Sequence, residues 1–297
     1  MTVLRRRILA GATTGMLTTA AKRAGAVIIL DGTWRLEGGA PGQEGAGFRA
    51  HMALANQPQF AAVIPLSDDE GQNWGAASGT WIGNVAGRGF VLTAAHVFHP
   101  DGAADDYVYR TPGGSLRQGT EVVFHPFYNW KDSERTGYDL AIVRLDGAVD
   151  DAGPPPALYA GDREDGARIV IVGYGTRGIG STGERPEFNT LPGKAAAENT
   201  VDEVMAAVLP PPAAADAGNW LGVTLRREDE GAGWLDGILG SGDSGGSAWL
   251  RAGGEWAIAG VNANGTGDTY GAQSYFARVS GVREWLESIV PGLRFVT

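Results

Sequence analysis

From Phe60 to Val279 the chain consists of apolar runs of four to seven residues, each closed by turn-forming residues. Runs that short, rich in β-branched and aromatic residues, specify strands, because a buried helix needs a longer stretch. The first set comprises Phe60–Leu66, Gly79–Ile82, Gly89–Leu92, Tyr107–Arg110, Glu121–Phe124 and Leu140–Leu145. Asp150–Pro156, with three successive prolines, reads as a linker. A second set follows: Arg168–Gly173, Trp220–Leu225, Ser247–Leu250, Trp256–Asn262 and Ser274–Val279. Helical periodicity is convincing only at the end, where Val282, Trp285, Leu286 and Ile289 recur at i, i+3, i+4 and i+7. Ser280 offers an N-cap there, and Pro291-Gly292 a stop. The expected fold class is all-β: two β units followed by one C-terminal helix, without internal repeats. The 47 glycines fit many tight connections.

The N-terminus is a separate block. Residues 1–26 carry Arg5, Arg6, Arg7, Lys22 and Arg23 and no acid, so a chain of net charge −10 keeps −15 on the remainder. A basic start, the mildly apolar run Ile8–Ala21 and the small residues Ala24-Gly25-Ala26 read as a signal peptide over 1–26. Arg5-Arg6-x-Ile8-Leu9 resembles a twin-arginine export signal. The expectation is a secreted or periplasmic protein; the competing reading is a basic tail or short amphipathic helix. Residues 27–50 are Gly-rich and are expected to form a propeptide or flexible arm.

The chain contains no cysteine, which excludes disulfides, thiol catalysis and Cys-based zinc sites. An acidic body would be repelled by phosphate, which argues against nucleic acid as a partner. No run approaches the ~20 apolar residues of a membrane span. Asp101, Asp105 and Asp106 lack the alternation of an EF-hand loop and read as a solvated acidic loop. No metal or cofactor is expected, and the chain is expected to act as a monomer.

Three segments carry the chemistry of nucleophilic catalysis: Leu92-Thr93-Ala94-Ala95-His96, Tyr138-Asp139-Leu140-Ala141-Ile142-Val143, and Gly242-Asp243-Ser244-Gly245-Gly246. A hydroxyl nucleophile needs a base to take its proton, and that base needs a carboxylate to hold its tautomer. Ser244, His96 and Asp139 offer the three parts. The small residues Thr93-Ala94-Ala95 let the backbone turn and leave the His96 ring at a cleft. Asp139 opens an apolar strand, where a carboxylate without a partner is costly. Chain order discriminates between hydrolase types. Gly242-x-Ser244-x-Gly246 also matches the nucleophile elbow of α/β-hydrolases, but that fold places its histidine after the serine. The four histidines, His51, His96, His99 and His125, all precede Ser244. An acid such as Asp68 precedes His96, as the subtilisin order requires, but the long helices of that fold have no counterpart here. His99 and His125 read as structural.

In combination, "LTAAH", "DLAIVRL" and "GDSGG" resemble a trypsin-like (chymotrypsin-fold) serine protease of bacterial, cysteine-free type, from about Gln59 to about Val290. His125-Pro126-Phe127-Tyr128 is similar to the family's segment before the aspartate strand, and Val172-Gly173-Tyr174-Gly175-Thr176 to its "GWGT" strand end. The resemblance implies two antiparallel six-stranded barrels with the active site between them. The protease domain is expected over 51–290, with barrel 1 at about 55–150, barrel 2 at about 165–280 and the helix at about 280–290. It implies His96, Asp139 and Ser244 as catalytic residues, and the backbone N–H groups of Gly242 and Ser244 as the oxyanion hole. The implied function is a secreted endopeptidase acting on proteins or peptides; the alternative is a protease-like binding module without turnover.

Departures from the pattern bear on regulation and specificity. In the family the carboxylate of Asp243 is buried and can pair with an amine released by proteolysis. Arg35-Leu36-Glu37-Gly38-Gly39 is a faint echo of such a start, with Glu37 ill-suited; otherwise Asp243 must pair internally. Ser247 stands where proline is usual. Ala263 replaces a frequent serine that helps hold the catalytic aspartate. Counting back from Ser244 puts Ile238 at the base of the primary pocket, with Leu239, Asn264, Gly265 and Ser274 as the other substrate-binding positions. Asp236 lies two residues from Ile238. An apolar base implies cleavage after uncharged, apolar or small residues.

Overall fold

The computed structural model describes residues 26–98, 102–129, 137–205 and 219–297. Six strands close the first barrel: β2 (Val63–Ser67), β3 (Ala77–Val85), β4 (Arg88–Thr93), β5 (Val108–Arg110), β6 (Leu116–Phe124) and β7 (Ala141–Leu145), in the order β2-β3-β4-β7-β6-β5. Successive side chains of a strand point to opposite faces, and in β2, β3, β4 and β7 both faces are largely buried. Ile64, Leu66, Val91 and Val143 fill the barrel with Trp81 and Tyr109. Their neighbours Val63, Leu92 and Ile142 face outward into a second core shared with the other barrel. That double burial explains why these strands read as continuous apolar runs.

The second unit contains β8 (Ala157–Tyr159), β9 (Arg168–Gly173), β10 (Gly178–Ile179), β11 (Gly183–Glu184), β12 (Ala195–Thr200), β13 (Glu203–Met205), β14 (Trp220–Thr224), β15 (Gly237–Ile238), β16 (Ser247–Ala252), β17 (Glu255–Gly265), β18 (Gln273–Arg278) and β19 (Phe295–Val296). Its main sheet runs β12-β9-β16-β17-β18-β14-β13. The bent stretch Ala195–Met205 pairs with β9 at one end and with β14 at the other, which brings the two edges together. The ladder breaks at Val201-Asp202, so this barrel is less regular than the first. Strands β8 and β19 add parallel pairings outside it. The fold is the expected all-β one, closed by α3 (Arg283–Ile289), whose Leu286 sits in the core between the barrels. Ser280 does not cap that helix; its hydroxyl donates to Glu164 at 2.8 Å instead.

Residues 27–50 are not a flexible arm. Strand β1 (Ile28–Ile29) inserts between β10 and β15. Helices α1 (Asp31–Leu36) and α2 (Arg49–Ala55) lie beyond it. Val27, Ile29 and Phe48 form a separate apolar cluster with Ile179, Phe188, Ala195 and Ala197. The expected signal sequence falls almost entirely on residues 1–25, outside the described residues, as do His99 and Asp101. Among the described residues no helix is long and apolar enough to cross a membrane.

Candidate active site

His96 and Asp139 come from the first barrel, and Ser244 from the second. Strand β4 ends at Thr93, and the small residues after it let the chain tighten into a 3₁₀ turn, Ala95–Phe98, that carries His96. Asp139 lies two residues before β7 and is buried. The β15–β16 connection carries Ser244. The three side chains form one chain of hydrogen bonds. Asp139 accepts the His96 backbone N–H at 2.8 Å through Oδ1 and meets His96 Nδ1 at 2.5 Å through Oδ2. A carboxylate only accepts, so Nδ1 carries the hydrogen and Nε2 keeps its lone pair. That lone pair faces Ser244 Oγ at 2.9 Å. Burial disfavours the charged ring, yet the hydrogen bond and charge of Asp139 outweigh it and raise the His96 pKa above its ordinary value.

Two glycines make room for the serine. Gly245 has φ of +83°, and a Cβ there would lie 2.0 Å from Thr93 Oγ1. Gly242 has φ of +90°, and its Cβ would lie 2.5 Å from the Gly75 carbonyl oxygen. Among the described residues the N–H groups of Gly242 and Ser244 donate no backbone hydrogen bond, whereas those of Asp243, Gly245 and Gly246 do. A pair of uncommitted donors beside a nucleophile can receive a developing oxyanion.

Other residues hold the loop, and of these Ser78 and Asn262 did not stand out in the sequence. Ser78 of β3 donates its N–H to the Ser244 carbonyl and its hydroxyl to the Gly242 carbonyl, and its Oγ accepts the Tyr174 N–H. Ser247, in place of the usual proline, accepts a hydrogen bond from Thr80 Oγ1 at 2.8 Å and ties the barrels together. Asn262 Nδ2 donates to the carbonyls of Val172 and Asp243. Asp243 is fully buried and accepts backbone N–H groups from Gly175 and Gly240 at 2.8 Å and from Val27 at 3.2 Å. Burial pushes its carboxyl up to about 7, against the pull of those three donors. Arg35 lies in α1, so the internal partner at the N-terminal side is Val27. His125 is structural in its contacts: its ring stacks on Tyr138 and meets Trp285 edge-on, and burial lowers its pKa to about 4.

A family model for the trypsin-like peptidase domain matches residues 77–257. The chain belongs to the trypsin-like peptidases. No curated protein matches it.

The peptidase's cavity beside Ser244 measures about 340 Å³. Of the proposed substrate-binding positions, Leu239, Asn264 and Gly265 line it. Ile238 and Ser274 do not. Ile238 is in register with Ile28 and belongs to the barrel 2 core, because alternation along the chain turns it inward and its neighbour Leu239 toward the cavity. Ser274 is buried behind the wall, where its Oγ accepts the Leu239 N–H at 3.1 Å. Asp236 is bound to Arg168 at 2.6 Å. The apolar base on which an uncharged specificity rested is therefore removed. The sequence reading missed two acids in the lining, Glu184 and Asp268.

Proposed function

We propose that this peptidase is a secreted serine endopeptidase that cleaves protein or peptide substrates through an acyl-enzyme. The observation that carries the reading is His96 bridging Asp139 at 2.5 Å and Ser244 at 2.9 Å across the barrel interface. In the first step Nε2 takes the Ser244 proton as Oγ attacks the scissile carbonyl. Asp139 stabilises the imidazolium so formed, and the N–H groups of Gly242 and Ser244 meet the oxyanion, each such donor being worth about 3–4 kcal/mol in comparable sites. His96 then gives its proton to the leaving amine, and the acyl group stays on Ser244 Oγ. Water enters, His96 takes one of its protons as the water oxygen attacks the acyl carbon, and His96 returns that proton to Ser244 Oγ as the acid leaves and the serine is restored. Neither metal nor cofactor is needed for any of these steps.

Export fits the basic start and the small residues Ala24-Gly25-Ala26. A cut after Ala26 would leave Val27 as the first residue of the mature chain. The decisive experiment is labelling with a fluorophosphonate followed by peptide mapping. The reading expects one adduct, on Ser244, and loss of peptide hydrolysis in Ser244→Ala. A folded wild-type chain that forms no adduct would instead be a binding module on a peptidase scaffold.

A further inference from the structure

We propose that the substrate side chain preceding the scissile bond is a cation, received by Glu184 and Asp268 in the cavity beside Ser244. The inference rests on the peptidase reading above and assigns that site its substrate class. The two acids come from elements far apart in sequence: Glu184 from β11 and Asp268 from the connection between β17 and β18. The 340 Å³ cavity contains both, together with Ser244, and among the described residues no lysine, arginine or histidine lines it.

Both carboxylates are held in place by backbone rather than by counter-charges. The Glu184 N–H donates to Asp268 Oδ2 at 2.9 Å, and Glu184 Oε1 accepts the Ser241 N–H at 2.6 Å. Gly183, with φ of +69°, lets the β10–β11 turn press on Asp268; a Cβ there would lie 2.3 Å from Oδ2. Among the described residues neither acid forms an ion pair. Two adjacent anions without a counter-ion in a small, partly desolvated concavity concentrate negative potential there. An apolar side chain would desolvate them without compensation, and an acidic one would add a third like charge. An ammonium or guanidinium pairs with both and can bond their free oxygens. Charge selection thus enters from the flank of the cavity, while position 238, at its expected base, is occupied by a core isoleucine.

Matched peptides bearing Arg, Lys, Leu or Glu before the scissile bond test this. The wild type is expected to favour Arg and Lys, and Glu184→Gln and Asp268→Asn are each expected to cut the Arg-to-Leu ratio of kcat/KM roughly 10- to 100-fold, the range of one charge-assisted hydrogen bond. Fluorophosphonate labelling of each variant reports separately whether Ser244 remains reactive. Where a variant does not fold, the wild type supplies a second readout: added sodium chloride should lower kcat/KM for the Arg peptide and leave the Leu peptide unaffected. A reactive Ser244 with cleavage indifferent to side-chain charge, or with no salt dependence, overturns the cation assignment and leaves the peptidase reading standing. Absence of an adduct in the wild type overturns both.

Discussion

The contact between Asp243 and Val27 makes a quantitative prediction about processing. Asp243 has its carboxyl pushed up to about 7 by burial, from an ordinary value of 3.8, and no cation touches it among the described residues. The folded state therefore holds the proton more tightly than the unfolded one. The contribution of this one group to stability is fully present below pH 4 and is lost as pH rises toward 7, by about 1.4 kcal/mol per unit, or ~4 kcal/mol over the ~3-unit gap. A chain that begins at Val27 carries an ammonium where the amide nitrogen now lies, 3.2 Å from Asp243 Oδ2. A cation at that distance favours the ionised carboxylate and pulls its pKa back down. The perturbation is to compare the uncut chain with one released at Val27, both as Ser244→Ala to prevent self-digestion. Urea denaturation at pH 5 and pH 8 measures each stability. Residues 1–26 hold no acid or histidine, so apart from the chain-terminal amines the groups that titrate between these pH values are common to both chains, and the difference between the two pH slopes isolates the Asp243–Val27 pair. About two units of that gap lie between these pH values, so the uncut chain should lose about 2–3 kcal/mol more than the cut one. Parallel pH profiles would refute the assignment of a direct charge pair at this contact. Because Asp243 also accepts the Gly240 N–H beside the oxyanion donors, the cut chain should label faster with fluorophosphonate.

Three further outcomes are expected. Asp139→Asn should lower kcat by on the order of 10⁴-fold by presenting the wrong tautomer of His96, with the fold retained by circular dichroism; in the wild type, activity should appear as pH rises through a His96 pKa above 6.5, because the base must be neutral. Gly245→Ala places a methyl 2.0 Å from Thr93 Oγ1 at a φ of +83°, and should cost about 1–3 kcal/mol or more, read as a lowered Tm together with lost activity. Glu164 is fully buried and receives Arg278 Nε at 2.7 Å and Nη2 at 2.9 Å, so Glu164→Ala leaves a buried guanidinium unpaired and should cost about 3–5 kcal/mol in denaturant titration.

Most strands were legible because both of their faces are apolar: Leu140–Leu145 reads as a strand and forms one, with Ile142 and Val143 serving different cores. Strand β12 was not legible. Ala195-Ala196-Ala197-Glu198-Asn199-Thr200 has no β signal, and it is made a strand by pairing along β9 beneath α2. Helices α1 and α2 are too short to show a period. They form because Trp34 and Phe48 pack on Phe188, far along the chain. At the site, the triad candidates were legible through their flanking residues, whereas Ile238 was misplaced because counting along a loop does not say which way a side chain faces. Glu184 and Asp268 belong to no motif, and only the turn at Gly183 brings them together.

The reaction chemistry on offer and the fold class are both written in the order of residues. Residue type and order decide whether a serine, a histidine and a carboxylate can form one relay, and the length of apolar runs decides strand against helix. Only the assembled fold shows which acids line the cavity and that Ala26 to Leu30 are core rather than arm. The physical reason is range. Periodicity and turn chemistry act over a few residues, while the charge in a cavity and the solvation of Asp243 depend on groups brought together from distant parts of the chain.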